Sequence, residues 1–339
     1  MTKANGLTKW TCLFLFLAPF ALAQNQHAFV WNSATGMTDI GTLGGNNSYA
    51  LQINDSGEVA GWSYLADNVT YHAFTWTPSG GMVDLGTLGG CCSQANAINS
   101  AGNVAGDSIG SDGLQHPFFW SPATGMVSLG VFTGDQRNYA FGINNHNHVT
   151  GQVYYGEVVH AFIWAPGATF TLIGQLPGAL HSVGTAINNN DNIVGTGSLP
   201  TCCSFTSTIW TLAAGMHDTG LFPGGIYTAN EAINDSQQVV GWGFTNSSES
   251  KSSAYYWTSS TGRVLLNTLG GDQTYAWGIS AKGFITGHSQ LPGDTATHAV
   301  LWNSYTSAPT DLGTLPGGVN SYARGLNNAL QVVGYADVQ

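Results

Sequence analysis

Seven tryptophans, Trp31, Trp76, Trp120, Trp164, Trp210, Trp257 and Trp302, recur at intervals of 45, 44, 44, 46, 47 and 45 residues, each closing a copy of one short phrase. Clear copies are His27-Ala28-Phe29-Val30-Trp31, His72-Ala73-Phe74-Thr75-Trp76 and His160-Ala161-Phe162-Ile163-Trp164, while two copies carry Ser207 and Ser253 in place of the histidine. A fixed period in this range marks a repeat architecture, in which one small unit cannot bury its apolar face alone and relies on its neighbours. The period, more than any single motif, limits the folds open to the chain.

Each repeat holds four short segments. The tryptophan phrase is followed by a Gly-Met-x-Asp segment such as Gly36-Met37-Thr38-Asp39, then by Thr-Leu-Gly-Gly or a relative. A third segment ends in Ile-Asn, as at Ile53-Asn54 and Ile98-Asn99, and a fourth resumes at once, as in Glu58-Val59-Ala60-Gly61-Trp62. Between the last two, Asn54-Asp55-Ser56-Gly57 is a tight-turn sequence, because short polar side chains satisfy backbone donors and glycine accepts positive φ. No segment reaches the roughly 10 residues a helix needs, and all suit strands of about five or six. Composition agrees: 46 glycines and only 7% charged residues leave little material for surface helices. The expected fold is all-β, a seven-bladed β-propeller of four-stranded antiparallel blades. A β-solenoid is disfavoured, since its parallel coils need crossovers where this chain has direct hairpins.

The two ends of the chain complement each other. The first repeat opens with the His-Ala-Phe and Met-Thr-Asp segments, whereas the last ends with Leu326-Asn327 and Val332-Val333-Gly334. With Ile-Asn as the innermost strand, the final blade combines residues 319–336 with residues 27–41. Such a shared blade closes the ring and ties down both termini. Before it, residues 1–23 read as a secretory signal peptide: Lys3 and Lys9, an apolar run, then Ala21-Leu22-Ala23. Residues 24–339 form the single propeller domain, and no apolar stretch is long enough for a membrane span.

His-Ala-Phe-x-Trp at His72 to Trp76, the Met82 to Gly90 segment and the Ile98 to Gly106 segment together resemble the bacterial extracellular HAF-repeat family, over about residues 27–335. The resemblance implies export and propeller form. It brings no reaction, substrate or catalytic residue.

Seven Lys and Arg against 18 Asp and Glu give a formal charge of −11, which becomes −13 when Lys3 and Lys9 leave with the leader. Nucleic acid is excluded as a partner, because the cations needed along a phosphate backbone are few and scattered. Four cysteines remain as Cys91-Cys92 and Cys202-Cys203. All four are disulfide candidates in an oxidising compartment, with vicinal or unpaired states favoured over a bridge between the pairs. No metal site or cofactor is expected: the zinc spacings CxxC and HExxH are missing, as are phosphate-binding glycine loops. His27, His72, His116, His160 and His298 occupy equivalent places in separate blades, as do Asp39, Asp84, Asp218 and Asp311, so both sets read as structural.

Variation inside the repeat is more telling. Two residues before the recurring Ile or Leu stand Leu51, Asn96, Phe141, Thr185, Glu231, Trp277 and Arg324, which cannot all meet one packing demand. Their place on the innermost strand puts them near the channel or its mouth. Asn96, Glu231, Trp277 and Arg324, with Asp135, Arg137 and His181 in the adjoining loops, make a binding set for a glycan or peptide. The chain reads as a secreted non-catalytic binding or scaffold protein. The alternative is a carbohydrate-active enzyme using Glu231 and Asp272 as its carboxylate pair.

Overall fold

The computed structural model describes residues 24–131, 137–200 and 204–339. The expected leader, Asp135, Cys202 and Cys203 lie outside the described residues. Seven four-stranded antiparallel sheets make up the fold. In the first blade the strands are Gly44–Ile53, Val59–Leu65, Tyr71–Thr77 and Gly81–Asp84, from the axis outward. The seven innermost strands, which include Gly44–Ile53, Ser182–Ile187 and Ser321–Leu326, touch one another in a closed ring. The seventh blade joins the chain ends: Ser321–Leu326 and Val332–Asp337 are followed outward by Gln26–Asn32 and Gly36–Asp39. Gln26 pairs with Asp337 and Trp31 with Val332. Each sheet ends at its innermost strand, whose short axial edge faces its neighbours around the ring, the usual protection of a propeller.

The phrase that defines the repeat is the third strand of each blade. Its alternation buries Phe29, Phe74, Phe118 and Phe162 completely between blades. Each such ring contributes about 1.5–3 kcal/mol relative to exposure. The histidine two residues earlier bonds the edge strand, as in His27 Nδ1 to Asp39 Oδ2 at 2.7 Å and His298 Nδ1 to Asp311 Oδ2 at 2.9 Å. The fourth blade corrects the sequence alignment by one residue. Gly195 pairs with Thr208, as Gly61 pairs with Phe74, so Thr206 and not Ser207 stands in the histidine position. Thr206 accordingly donates to Asp218 Oδ1 at 2.5 Å. Ser207 fills the small buried place of the alanine.

Adjacent blades are stitched at both ends of the innermost strand. At its start a hydroxyl accepts a third-strand N–H of the preceding blade: Ser48 Oγ from Ala28, Ser93 Oγ from Ala73 and Ser321 Oγ from Ala299, each at 2.8 Å. Where that donor is Pro117, which has no N–H, the matching residue is Asn138 rather than serine. At its end lies a ring of asparagines. The Nδ2 of Asn54, Asn99, Asn144, Asn188, Asn234 and Asn327 donates to the backbone carbonyl at the equivalent position of the next blade, at 3.0–3.1 Å. Each Oδ1 also accepts two N–H groups of its own turn, such as Ser56 and Glu58 on Asn54. These buried side chains are thereby satisfied, as burial demands. The seventh position is Ser280, which has no amide to donate and accepts the Phe284 N–H at 3.2 Å.

Losing one amide strands buried partners, so Asn188→Ala is expected to cost about 1–3 kcal/mol in urea denaturation, while Ser280→Asn raises the midpoint. An Asn188→Ala protein as stable as its parent would leave the ring without energetic weight. Removing residues 24–41 takes away two strands of the closing blade, and the expected outcome is loss of the cooperative transition followed by tryptophan fluorescence. A shortened chain unfolding at the parent midpoint would contradict the role given to closure.

Candidate functional site

Every innermost strand carries a bulge at one place. In the first blade Ala50 pairs with Gly61 and Gln52 with Ala60, leaving Leu51 outside the ladder. The same skip releases Asn96, Phe141, Thr185, Glu231, Trp277 and Arg324. These are the seven positions at which the repeat varies. Opposite each bulge lies a glycine that the strands crowd: a Cβ on Gly61 would stand 2.0 Å from the Tyr49 carbonyl oxygen, and one on Gly334 1.9 Å from that of Tyr322. Glycine permits the close approach, and the bulge re-aims one side chain out of the pleat.

Four of the released side chains bond a second-strand residue eleven positions later. Asn96 Nδ2 donates to Asp107 Oδ1 at 2.8 Å, Trp242 Nε1 to Glu231 Oε1 at 2.8 Å, Trp277 Nε1 to His288 Nδ1 at 3.2 Å and Arg324 Nη2 to the Tyr335 hydroxyl at 3.2 Å. The indole can only donate, so His288 Nδ1 is an acceptor and the ring proton sits on Nε2. Burial, with the Arg324 charge, holds the His288 pKa well below the usual imidazole range. Sequence reasoning missed these partners. Their signal is the variability of the residue following the recurring second-strand glycine: Trp62, Asp107, Gln152, Thr196, Trp242, His288 and Tyr335.

Aromatic rings link these pairs across five consecutive blades. From Tyr227 the chain of contacts runs to Trp242 (5.1 Å between centroids), Tyr275 (4.8 Å), His288 (4.8 Å), Tyr322 (5.1 Å), Tyr335 (5.0 Å), Tyr49 (4.9 Å) and Trp62 (4.2 Å). It extends through Tyr71 at one end and through Phe205 and His181 at the other. His288 is buried, and the other rings are partly exposed. Burial raises the phenols of Tyr49, Tyr71, Tyr275 and Tyr322, the last to about 12, so they remain neutral hydrogen-bond donors. The belt lies toward the starts of the innermost strands, away from the asparagine ring. Between the two ends, Ile98, Ile143, Ile187, Ile233, Ile279 and Leu326 border both axial cavities and form an aliphatic waist.

The structure brings together part of the predicted set. Glu231 lines the mouth-side cavity with Phe141 and Thr185, and the Arg324 guanidinium lies 4.0 Å from the Trp277 centroid. Asn96 also donates to the Ala140 carbonyl of the next blade at 2.8 Å. Arg137 stacks 4.1 Å over Tyr154, and His181 Nδ1 accepts the Val159 N–H at 3.2 Å, each within its own sector of the rim. Asp272 is exposed and paired with Lys251 Nζ at 2.9 Å, and no described contact joins it to Glu231. Cys91 and Cys92 are free thiols whose sulfurs lie 2.6 Å apart, and burial pushes the Cys92 thiol up to about 11. Among the described residues no group of three metal-ligating side chains occurs, and no helix is long and apolar enough to cross a membrane.

No family model matches the chain, and no curated protein matches it. Solved structures with a similar fold include a putative TolB from Agrobacterium tumefaciens (10% identity, 72% of this chain and 88% of that chain, TM-score 0.52). Others are an oligogalacturonate lyase in complex with manganese (8% identity, 93% and 98%, TM-score 0.54) and a prolyl endopeptidase (11% identity, 82% and 44%, TM-score 0.57). This chain spans less than half of the endopeptidase. At such identities the likeness establishes a β-propeller fold shared by proteins of different activities.

Burial pushes the carboxyls of Asp107 and Glu231 up to about 7. Hydrogen bonds from Asn96 and Gln115 to Asp107, and from Trp242 to Glu231, oppose the shift, as does the Arg324 charge on Glu231. An acid with a raised folded pKa holds its proton more tightly than the unfolded chain does. Its stabilisation is complete below the ordinary carboxylate pKa and is lost as pH rises through about 7. Glu231→Gln keeps the Trp242 acceptor and removes one titration, so between about pH 5 and pH 8 its melting temperature should fall less than the parent's. Superimposable pH profiles would return Glu231 to the ordinary carboxylate range.

Proposed function

We propose that the protein is a secreted, non-catalytic recognition module that binds a glycan on the aromatic face. The observation that carries this reading is the continuous belt of aromatic rings over five blades, in which partly exposed tyrosines and tryptophans from four blades are joined through the buried His288 and extended by Phe205 and His181. Flat aromatic faces stack on the apolar C–H faces of sugars, and phenols and amides at their margins bond hydroxyl groups. A face built from rigid side chains on paired strands also loses little entropy on binding. The leader at residues 1–23 and the resemblance to extracellular HAF-repeat proteins support placing this activity outside the cytoplasm.

The test is calorimetric titration of residues 24–339 with glycans selected on an array, using extended peptides as the competing ligand class. Trp277→Ala is expected to weaken glycan binding at least about tenfold, whereas Lys282→Ala, in an exposed turn at the opposite end, leaves it unchanged. Equal losses in both variants would remove the aromatic face as the site. Release of new reducing ends would make the protein an enzyme instead.

A further inference from the structure

Arg324 is the cation held within the aromatic belt. Its guanidinium lies 4.0 Å from the Trp277 centroid and 5.6 Å from that of Tyr335. One described hydrogen bond engages it, from Nη2 to the neutral Tyr335 hydroxyl at 3.2 Å, and its buried Nε–H has no acceptor among the described residues. Ion pairs among the described residues are formed by Lys251 and five histidines, and none by Arg324. Glu231, the carboxylate at the mouth, lies within reach of the Arg324 charge but makes its described hydrogen bond with Trp242 Nε1, at 2.8 Å. Arg263 offers a contrast. It too stacks on aromatic rings and leaves Nε without an acceptor, but its Nη2 is spent on Ser207 Oγ at 2.9 Å, Thr219 O at 3.3 Å and Gly220 O at 2.6 Å.

A guanidinium fixed by stacking, partly withdrawn from water and bonded to a single neutral group has donors to offer an incoming anion. We propose that Arg324 recognises a carboxylate, and that the glycan bound on this face is acidic, a uronate-containing chain stacked against the tryptophan and tyrosine rings. The planar fork of Arg suits the two oxygens of a carboxylate. One cation matches one carboxylate. Phosphorylated or polysulfated chains call for several, and the other described cations are engaged elsewhere: Lys251 with Asp272, Lys282 Nζ with the Asn328 carbonyl at 3.0 Å, and Arg137 over Tyr154. The net charge of −13 on residues 24–339 disfavours a polyanion at long range, so discrimination rests on contact at this one residue.

This inference rests on the glycan-binding reading, and the experiment separates the two. Residues 24–339 are titrated with a tetrasaccharide bearing a single uronate, its methyl ester, tetragalacturonate and its methyl ester, and a neutral tetragalactose. At least one free acid is expected to bind about tenfold or more tightly than its ester, as befits a charge-assisted pair. Arg324→Met, which keeps an unbranched stem over Trp277, should bring the acid down to the ester's affinity without altering the ester's. Arg324→Lys keeps the charge without the fork and should retain part of the preference, which gives a second measure if the methionine variant fails to fold. Equal affinity for acid and ester, with Trp277→Ala weakening both, would overturn the carboxylate assignment and leave glycan recognition intact. No binding of any of these sugars by the folded protein would remove both readings.

Discussion

A four-stranded blade has no reason to stop at its own edge, and six of the seven junctions in the ring are tied by an asparagine hydrogen bond that crosses from one blade to the next. The asparagine ending an innermost strand serves two masters. Its carbonyl oxygen folds the local turn, and its amide reaches the backbone of the following blade, as Asn54 reaches Asn99. Both connections are buried, so neither competes with water, and the cost of leaving either unmade is greater than the gain from making it. Local turn chemistry and global closure are thereby satisfied by the same residue.

A frame held this way can carry variation at one place. The bulge takes a single side chain out of the pleat, and the facing glycine lets the strands close around it. Backbone pairing resumes on either side whether that residue is Leu51, Glu231 or Arg324. Packing and chemistry are therefore divided between neighbouring positions. The small residues beside the bulge fit blade to blade, and the bulged residue, with its second-strand partner, sets the character of the mouth. The aromatic belt joins the second-strand partner to a first-strand tyrosine two residues before the bulge, as Tyr335 with Tyr322, His288 with Tyr275 and Trp62 with Tyr49.

The period of the tryptophans and the complementary ends of the chain made the blade count and the shared final blade legible in the sequence. The bulge was not legible, because an extra residue in a strand shows only against its partner strand. For the same reason the alignment of the fourth blade slipped, taking Ser207 for the residue that Thr206 turns out to be. Leu51, Asn96 and their equivalents stood out by variability, yet the matching variability after the second-strand glycine passed unnoticed, and with it Trp242, His288 and Tyr335. Asn54 was read as a turn former, which it is. Its second role lies 45 residues away and leaves no mark in local spacing. Pairing Glu231 with Asp272 rested on their places in adjoining parts of the repeat, and their separation had no signal in the sequence; in the structure Asp272 is bonded to Lys251.

The aliphatic waist gives the wheel an oily hub. Branched hydrocarbon side chains border the axis at both cavities and have no donor or acceptor to offer a polar solute. The disc is consequently two-faced in its chemistry, with rings toward one side and amides toward the other. A sugar resting among the rings would find its polar partners there and none at the hub, and the asparagine side is left free of that task.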